Sequence, residues 1–91
     1  MSVVRVPQPL RRLTQGASTV EVKAGTVGQG LDVLESKFPG IKERIVDNTG
    51  ALHKFVNIYI NGEDVRFLQG METKVKDADE ISIVPAVAGG L

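Results

Sequence analysis

Short runs of alternating or β-branched apolar residues recur along the chain and predict five strands. The runs fall at residues 3–6, 18–23, 55–60, 63–67 and 81–84. Pro7 and Pro85 end the first and last runs, because proline cannot donate to a strand ladder. Asn61-Gly62 is typical of a type I′ hairpin turn and joins the third run to the fourth. Residues 8–16 are polar and basic and predict a loop, whereas residues 73–76 are ambiguous.

The segment between the second and third runs has helical spacing instead. Thr26 is suited to an N-cap, and Gln29 three residues later completes a capping box. The apolar residues that follow recur four, three and four positions apart and share one helical face: Val27, Leu31, Leu34 and Phe38. A proline-glycine pair ends this helix. A short second helix is predicted directly afterwards, with Ile41 and Ile45 facing inward.

One main helix and five strands in the order β-β-α-β-β-β predict an α+β fold in which the helix covers one face of a mixed sheet. With the first and last strands as parallel neighbours at the centre, this is the β-grasp, or ubiquitin-like, arrangement. Alternation directs nine residues toward the helix: Val4, Val6, Val20, Val22, Val56, Ile58, Ile60, Ile81 and Ile83. It leaves Phe55, Tyr59, Ser82 and Val84 on the opposite face, where exposed apolar side chains suit a partner surface.

Composition narrows the class of protein further. The chain has 91 residues, a formal net charge of zero and no cysteine. It is expected to form one domain over residues 1–91, with 85–91 as a flexible C-terminal tail. Neither nucleic-acid binding nor a membrane span is indicated, and a cytoplasmic monomer is expected. Disulfides and thiolate metal sites are excluded in this sequence.

The chain ends in Gly89-Gly90-Leu91 after the apolar stretch Ala86-Val87-Ala88. Paired glycines have no packing role and are costly to order, so a terminus selected for stability would not use them. A slim, unbranched end is suited to an enzyme cleft that must admit a C-terminal carboxylate. The alternative is a frayed terminus without a function.

Three features together resemble the ThiS/MoaD family of bacterial sulfur carriers. These are the order of elements, the acidic turn before the last strand and the Pro-x-x-x-Gly-Gly end from Pro85 to Gly90. The segment 52–67, LHKFVNIYINGEDVRF, together with 84–90, VPAVAGG, is similar to the branch of that family that serves cysteine biosynthesis in actinobacteria. The resemblance covers nearly the whole chain and is weak before Val20.

The resemblance implies that Gly90 carries the reactive carboxyl and that this chain is a cosubstrate, not an enzyme, with no cofactor or metal of its own. An E1-like adenylyltransferase and sulfurtransferase would use ATP and Mg²⁺ to convert Gly90 to an acyl-adenylate and then to a thiocarboxylate. A pyridoxal-phosphate-dependent sulfhydrylase of the cysteine synthase type would accept the sulfur. A zinc-dependent JAMM-type peptidase would release the product.

The same resemblance suggests which residues meet these partners. Gly89, Ala88, Val87 and Ala86 would line the partner channel as an extended strand, as in peptides that add to a sheet edge. Phe55, Tyr59 and Val84 are the predicted docking patch.

Leu91 departs from the family pattern, in which active members end at the second glycine. While Leu91 is present, the carboxyl of Gly90 is held in a peptide bond. The chain is therefore interpreted as a precursor from which a metallopeptidase removes Leu91; a cloning remnant is the alternative. Two other functions stay open, namely another ThiS/MoaD-type carrier, such as the small subunit of molybdopterin synthase, and a ubiquitin-like modifier conjugated to lysines.

Weaker signals point to structural roles. Gly25-Thr26-Val27-Gly28-Gln29-Gly30 lacks the Lys-Ser/Thr of a phosphate loop. His53 is the single histidine and is expected at the surface or in a turn. The acidic residues at 77, 79 and 80 are expected to form a solvated turn.

Overall fold

The computed structural model describes residues 1–54 and 56–85; Phe55 and residues 86–91 lie outside it. Within those ranges the strands are β1 (Ser2–Arg5), β2 (Thr19–Val22), β3 (Val56–Ile60), β4 (Glu63–Asp64) and β5 (Glu80–Pro85). The helix α1 (Val27–Lys37) follows β2. Short 3₁₀ helices occupy Gln8–Thr14, Lys42–Arg44, Val65–Phe67 and Gly70–Glu72.

The strands form one mixed sheet in the order β2-β1-β5-β3-β4. β1 and β5 are parallel neighbours, with Val4 opposite Ile81, as the pattern predicted. β5 is antiparallel to β3 on its other side, with Ile58 opposite Ile83. This is the β-grasp arrangement, so the predicted fold is confirmed.

The core lies between one face of the sheet and α1. The nine residues predicted to face the helix are all buried, none more than 9% exposed, which confirms the alternation. Leu31 and Leu34 supply the helical side, and Phe38 packs against them partly buried. Ile41 and Ile45 are fully buried at either end of the short helix Lys42–Arg44, also as predicted.

The start of α1 follows the predicted cap with one difference. Thr26 Oγ1 accepts from the amide of Gln29 at 3.1 Å. Gln29 Oε1 accepts from the amide of Gly25 at 2.8 Å, one residue before the N-cap, so the reciprocal bond of a capping box is displaced. Gly30 is buried, and a Cβ there would meet Ile81 Cδ1 at 3.3 Å. The absence of a side chain at Gly30 therefore lets α1 lie close to the sheet.

The prediction of a loop over residues 8–16 was wrong, because residues 8–14 form a 3₁₀ helix. Pro9 is favourable in its first turn. Leu10 and Leu13 pack against the core, and buried Thr14 donates its hydroxyl to Ala17 O at 2.8 Å. Polar and basic residues masked this helix in the sequence, since two leucines three positions apart are a weak periodic signal.

The return strand of the hairpin is shorter than predicted. The turn itself is as expected, since Asn61 and Gly62 both have positive φ, 50° and 91°. The strand then ends at Asp64 instead of continuing to residue 67. Asp64 Oδ1 accepts from the amide of Arg66 at 2.8 Å, which caps a 3₁₀ turn and draws Val65 fully into the core.

The acidic turn before β5 is organised by Asp79. Its carboxylate accepts from Asn61 Nδ2 at 2.9 Å and from the amide of Lys76 at 2.8 Å. These two bonds hold the pKa of Asp79 below its ordinary value of 3.8, and the bond from Asn61 has the larger effect. Asn61 Oδ1 in turn accepts from the amide of Glu80 at 3.0 Å, so the turn joins the hairpin to the start of β5.

We expect Asp79 to make folding stability depend on acid. Because its pKa is lowered in the folded protein, the stabilisation is present above the unfolded pKa and is lost as pH falls through the folded one. Asp79→Asn should lower the free energy of unfolding at pH 7. It should also reduce the difference in that free energy between pH 7 and a pH below 3.8, the ordinary pKa of aspartate. Urea unfolding of both proteins across pH measures this. If the variant lost as much free energy of unfolding on acidification as the native chain, this role of Asp79 would be contradicted.

Candidate functional site

The candidate site lies at the end of β5, in the middle of the sheet. Pro85 is the last described residue and faces Val56 on β3. The predicted tail residues, Ala86, Val87, Ala88, Gly89, Gly90 and Leu91, lie outside the described residues, and so does Phe55. Their roles therefore stay predictions.

The outer face of the sheet carries the two remaining residues of the predicted docking patch. Val84 lies opposite Asn57, and Tyr59 lies opposite Ser82, so Tyr59 and Val84 are diagonal neighbours on the face that α1 does not cover. Val84 is 41% exposed and Tyr59 is half-buried. The structure brings these two residues together as predicted from the alternation.

Two further apolar residues are exposed nearby. Phe67 is 87% exposed and Leu68 is 40% exposed, at the end of the 3₁₀ turn that follows β4. A strand running to residue 67 would have placed Phe67 on the same face as buried Val65. The early end of β4 instead leaves Phe67 in solvent, which alternation in the sequence could not reveal.

Arg66 connects that turn to the end of β3. Its guanidinium donates to Val56 O at 2.8 Å, to His53 O at 3.4 Å and to the side-chain oxygen of Asn57. Asn57 is the residue that faces Val84. Neither Arg66 nor Asn57 is among the site residues predicted from the sequence. An asparagine on the outer face of a strong strand was the only available signal.

Charge is distributed unequally along β5. At its start, Glu80 pairs with Arg5 at 3.0 Å, and in the preceding turn Asp77 pairs with the N-terminal amine at 3.2 Å. At its end, Arg66 bonds to uncharged oxygens, and no ion pair within residues 1–54 and 56–85 includes it. A positive charge therefore lies on β3 at the residues that pair with the end of β5.

The glycine-rich start of α1 offers little to a phosphate. The amides of Gly25, Val27 and Gln29 already donate to Gln29 Oε1, Thr73 O and Thr26 Oγ1. A phosphate site at a helix start depends on such amides being free. The structural interpretation of this motif is therefore preferred.

The other weak signals also have structural partners. His53 Nε2 donates to Glu43 O at 2.9 Å, a surface contact between a loop and the 3₁₀ helix Lys42–Arg44. No group of histidine, aspartate and glutamate in the described part of the chain could hold a metal ion. Nor does that part contain a helix long and apolar enough to cross a membrane.

Comparison with known proteins places these features in a family. Residues 4–90 match the sequence profile of the ThiS family. The sulfur carrier protein CysO of Mycobacterium tuberculosis is 46% identical over 89 residues, covering 96% of each chain. A crystal structure of the Amycolatopsis orientalis BexX/CysO complex contains a chain 48% identical, with a TM-score of 0.93 over 99% of this chain and 100% of that one. The solution structure of small archaeal modifier protein 1 from Methanosarcina acetivorans is 35% identical, with a TM-score of 0.83 over 98% and 95% of the two chains.

The two faces of β5 should respond differently to the same substitution. Val84→Thr should change the free energy of unfolding by about 0.5 kcal/mol or less, because the side chain is exposed and threonine suits a strand. Ile83→Thr should cost at least about 2 kcal/mol, because it leaves a cavity and buries a hydroxyl. Urea unfolding at neutral pH compares them. Similar losses for both variants would mean that Val84 is packed, not available for docking.

Proposed function

From the premise that this chain belongs to the ThiS family and is a homologue of the sulfur carrier CysO, we propose that it carries sulfur as a thiocarboxylate on Gly90. The observation that carries the proposal is where the family match ends. It runs to Gly90 and leaves out Leu91, so the matched region ends at the glycine whose carboxyl would react. The described end of β5 is five residues before Gly90.

The proposed chemistry requires activation of a poor electrophile. A carboxylate delocalises its charge and resists attack by sulfide. One oxygen of the Gly90 carboxylate would attack the α-phosphorus of ATP, releasing pyrophosphate and forming a glycyl-adenylate. Hydrosulfide would then attack the carbonyl carbon, and AMP would leave with the electron pair of the broken C–O bond. The thiocarboxylate formed is nucleophilic at neutral pH and stays covalently attached to its carrier.

The residues of the chain end suit this role sterically. Gly90 has no side chain to obstruct attack at its carbonyl carbon, and Gly89 keeps the approach to the activating site narrow. Ala86, Val87 and Ala88 would extend β5 into the partner channel with backbone hydrogen bonds. Because the chain has no cysteine, sulfur cannot be held on a thiol of this protein, which supports a C-terminal carrier.

Leu91 must be removed first in this proposal. Hydrolysis of the Gly90–Leu91 peptide bond would release leucine and expose the glycine carboxylate. A zinc-dependent JAMM-type peptidase is the proposed catalyst. The uncut chain would be an inactive precursor, because its terminal carboxylate belongs to a bulky, branched residue.

The proposed partners follow the order of the chemistry. An E1-like adenylyltransferase and sulfurtransferase would supply ATP and Mg²⁺ and charge Gly90. A pyridoxal-phosphate-dependent sulfhydrylase would accept the sulfur for cysteine synthesis, and the peptidase would release the product, all in the cytoplasm. Tyr59 and Val84 form the described part of the proposed docking patch. A CysO relative has itself been solved in a complex with BexX.

Intact mass measurement tests the proposal. After incubation with extract of the native cells, ATP and sulfide, we expect loss of one leucine and then exchange of one oxygen for sulfur. A chain produced without Leu91 should be charged without the first step. A chain carrying Gly90→Pro should lose neither oxygen nor leucine, since proline obstructs both reactions at that position.

An unchanged mass for the chain without Leu91, in extract that charges a known carrier, would overturn the sulfur-carrier proposal. Charging of the full-length chain with Leu91 still attached would instead overturn only the precursor step. The mass of one leucine residue distinguishes a charged chain that keeps Leu91 from one that has lost it.

A protein modifier is the second candidate, supported by the likeness to small archaeal modifier protein 1. In that case a lysine amine, and not sulfide, would attack the activated Gly90 carbonyl. Peptide mass spectrometry of cell extract would then detect the chain end joined to lysines of other proteins. Detection of thiocarboxylate without such conjugates would favour the carrier alone.

A further inference from the structure

The hairpin β3–β4 is unequal, because β3 has five residues and β4 has two. Ile60 faces Glu63 and Tyr59 faces Asp64. Continuation of this register would set Val56 opposite Phe67, so the early end of β4 leaves the first residues of β3 without a strand on that side. Backbone groups on such an edge need other partners.

Arg66 takes the place of the missing strand. One guanidinium nitrogen donates to Val56 O and to His53 O, while the amide of Val56 donates to His53 O at 3.0 Å. The outward carbonyl and amide of Val56 are therefore both satisfied through a closed group of three residues. A further nitrogen of the same guanidinium bonds to the side chain of Asn57. The planar fork of arginine is what allows one side chain to join several oxygens.

On its other edge, the start of β3 pairs with the end of β5. In an antiparallel ladder, hydrogen-bonded pairs alternate with non-hydrogen-bonded ones. The amide of Asn61 donates to Glu80 O at 2.9 Å, so Asn61–Glu80 is a hydrogen-bonded pair. By this alternation, Asn57–Val84 is the last hydrogen-bonded pair in the described ladder. The next residue, Pro85, has no amide to donate. Within the described residues, the hydrogen bonding of β5 to β3 therefore ends at Asn57, whose side chain accepts from Arg66.

We propose that Arg66 is a positioning residue that fixes where the C-terminal tail leaves the sheet. Without its bonds, the start of β3 would separate from the turn, and the pair Asn57–Val84 would open more often. The tail would then start from a variable point. The reacting carboxyl would reach the activating site in a productive orientation less often.

This inference deepens the proposed function, and its expected effect on charging kinetics rests on that function. The effect should appear in binding and not in chemistry, because Arg66 lies at the start of the tail and Gly90 lies five residues beyond Pro85. The KM of the activating enzyme for the carrier should therefore rise, with kcat nearly unchanged. A direct contact of Arg66 with an acidic partner residue would raise KM too, so a second measurement is needed.

The experiment compares Arg66→Gln and Arg66→Lys with the native chain without Leu91. Arg5→Gln is the matched control, since it removes an exposed arginine bonded to Glu80 at the start of β5. Amide hydrogen exchange measures opening of the ladder, and steady-state charging measures kcat and KM. In Arg66→Gln we expect exchange at Asn57 and Val84 to rise about tenfold, because several bonds to a charged donor are lost. KM should rise by a smaller factor, because KM varies inversely with the closed fraction of the pair whereas exchange follows its open fraction.

Arg66→Lys should resemble Arg66→Gln, because an ammonium group cannot span the same oxygens. Arg5→Gln should leave both readouts at the β3–β5 end unchanged. Unchanged exchange at Asn57 and Val84 in Arg66→Gln would overturn the positioning role. So would recovery of KM by lysine without recovery of exchange protection, which would assign Arg66 to a partner contact.

The two proposals fail separately. If the native chain is never charged, the sulfur-carrier function fails. The exchange result still decides whether Arg66 holds the end of β5.

Discussion

The parallel pairing of β1 with β5 is the constraint on which the rest of this structure depends. It places the last strand at the centre of the sheet, bonded to β1 on one side and to β3 on the other. A parallel pair cannot be closed by a short turn, so the intervening residues must form a long crossover. Here the crossover contains α1, which covers one face of the sheet and leaves the other open. The central position of β5 and the face that α1 leaves uncovered thus have the same origin.

That asymmetry separates stability from interaction along single strands. On β5, Ile81 and Ile83 lie in the core, while Ser82 and Val84 alternate with them on the outer face. Substitutions of Ile81 and Ile83 should therefore affect folding, whereas substitutions of Ser82 and Val84 should affect a molecule that binds the outer face of the sheet. β5 is paired with neighbours on both edges as far as Ser82, and its last three residues are paired with β3. An edge strand at the chain end would lack one of those neighbours and would fray more readily.

The sequence predicted the elements whose causes are local or periodic. Alternation identified the inward residues of β1, β2, β3 and β5, and Asn61-Gly62 identified the hairpin turn. The end of β4 was missed, because it depends on a side-chain cap by Asp64 and on burial of Val65 among residues distant in sequence. The 3₁₀ helix at Gln8–Thr14 was missed because two packed leucines among polar residues give a weak pattern.

The candidate site divides in the same way. Tyr59 and Val84 followed from alternation, whereas the Arg66–Asn57 contact requires the turn after β4 and could not be read from spacing. Residues 86–91 and Phe55 lie outside the described structure, so their predicted roles rest on chemistry and family resemblance.

Likeness to both carriers and modifiers has a chemical explanation. An acyl-adenylate at a C-terminal glycine is an electrophile toward either hydrosulfide or an amine, and the same chain end serves both. Nothing in a glycine carboxyl selects between these nucleophiles, so the selection must come from the partner that holds the activated end. The carrier contributes the point from which that end departs and the surface beside it. In this chain the proposed counterparts are the Val84–Pro85 end of β5 and the outer face around Tyr59. Differences in function within such a family should therefore be sought in this surface and its partners before they are sought in the glycines.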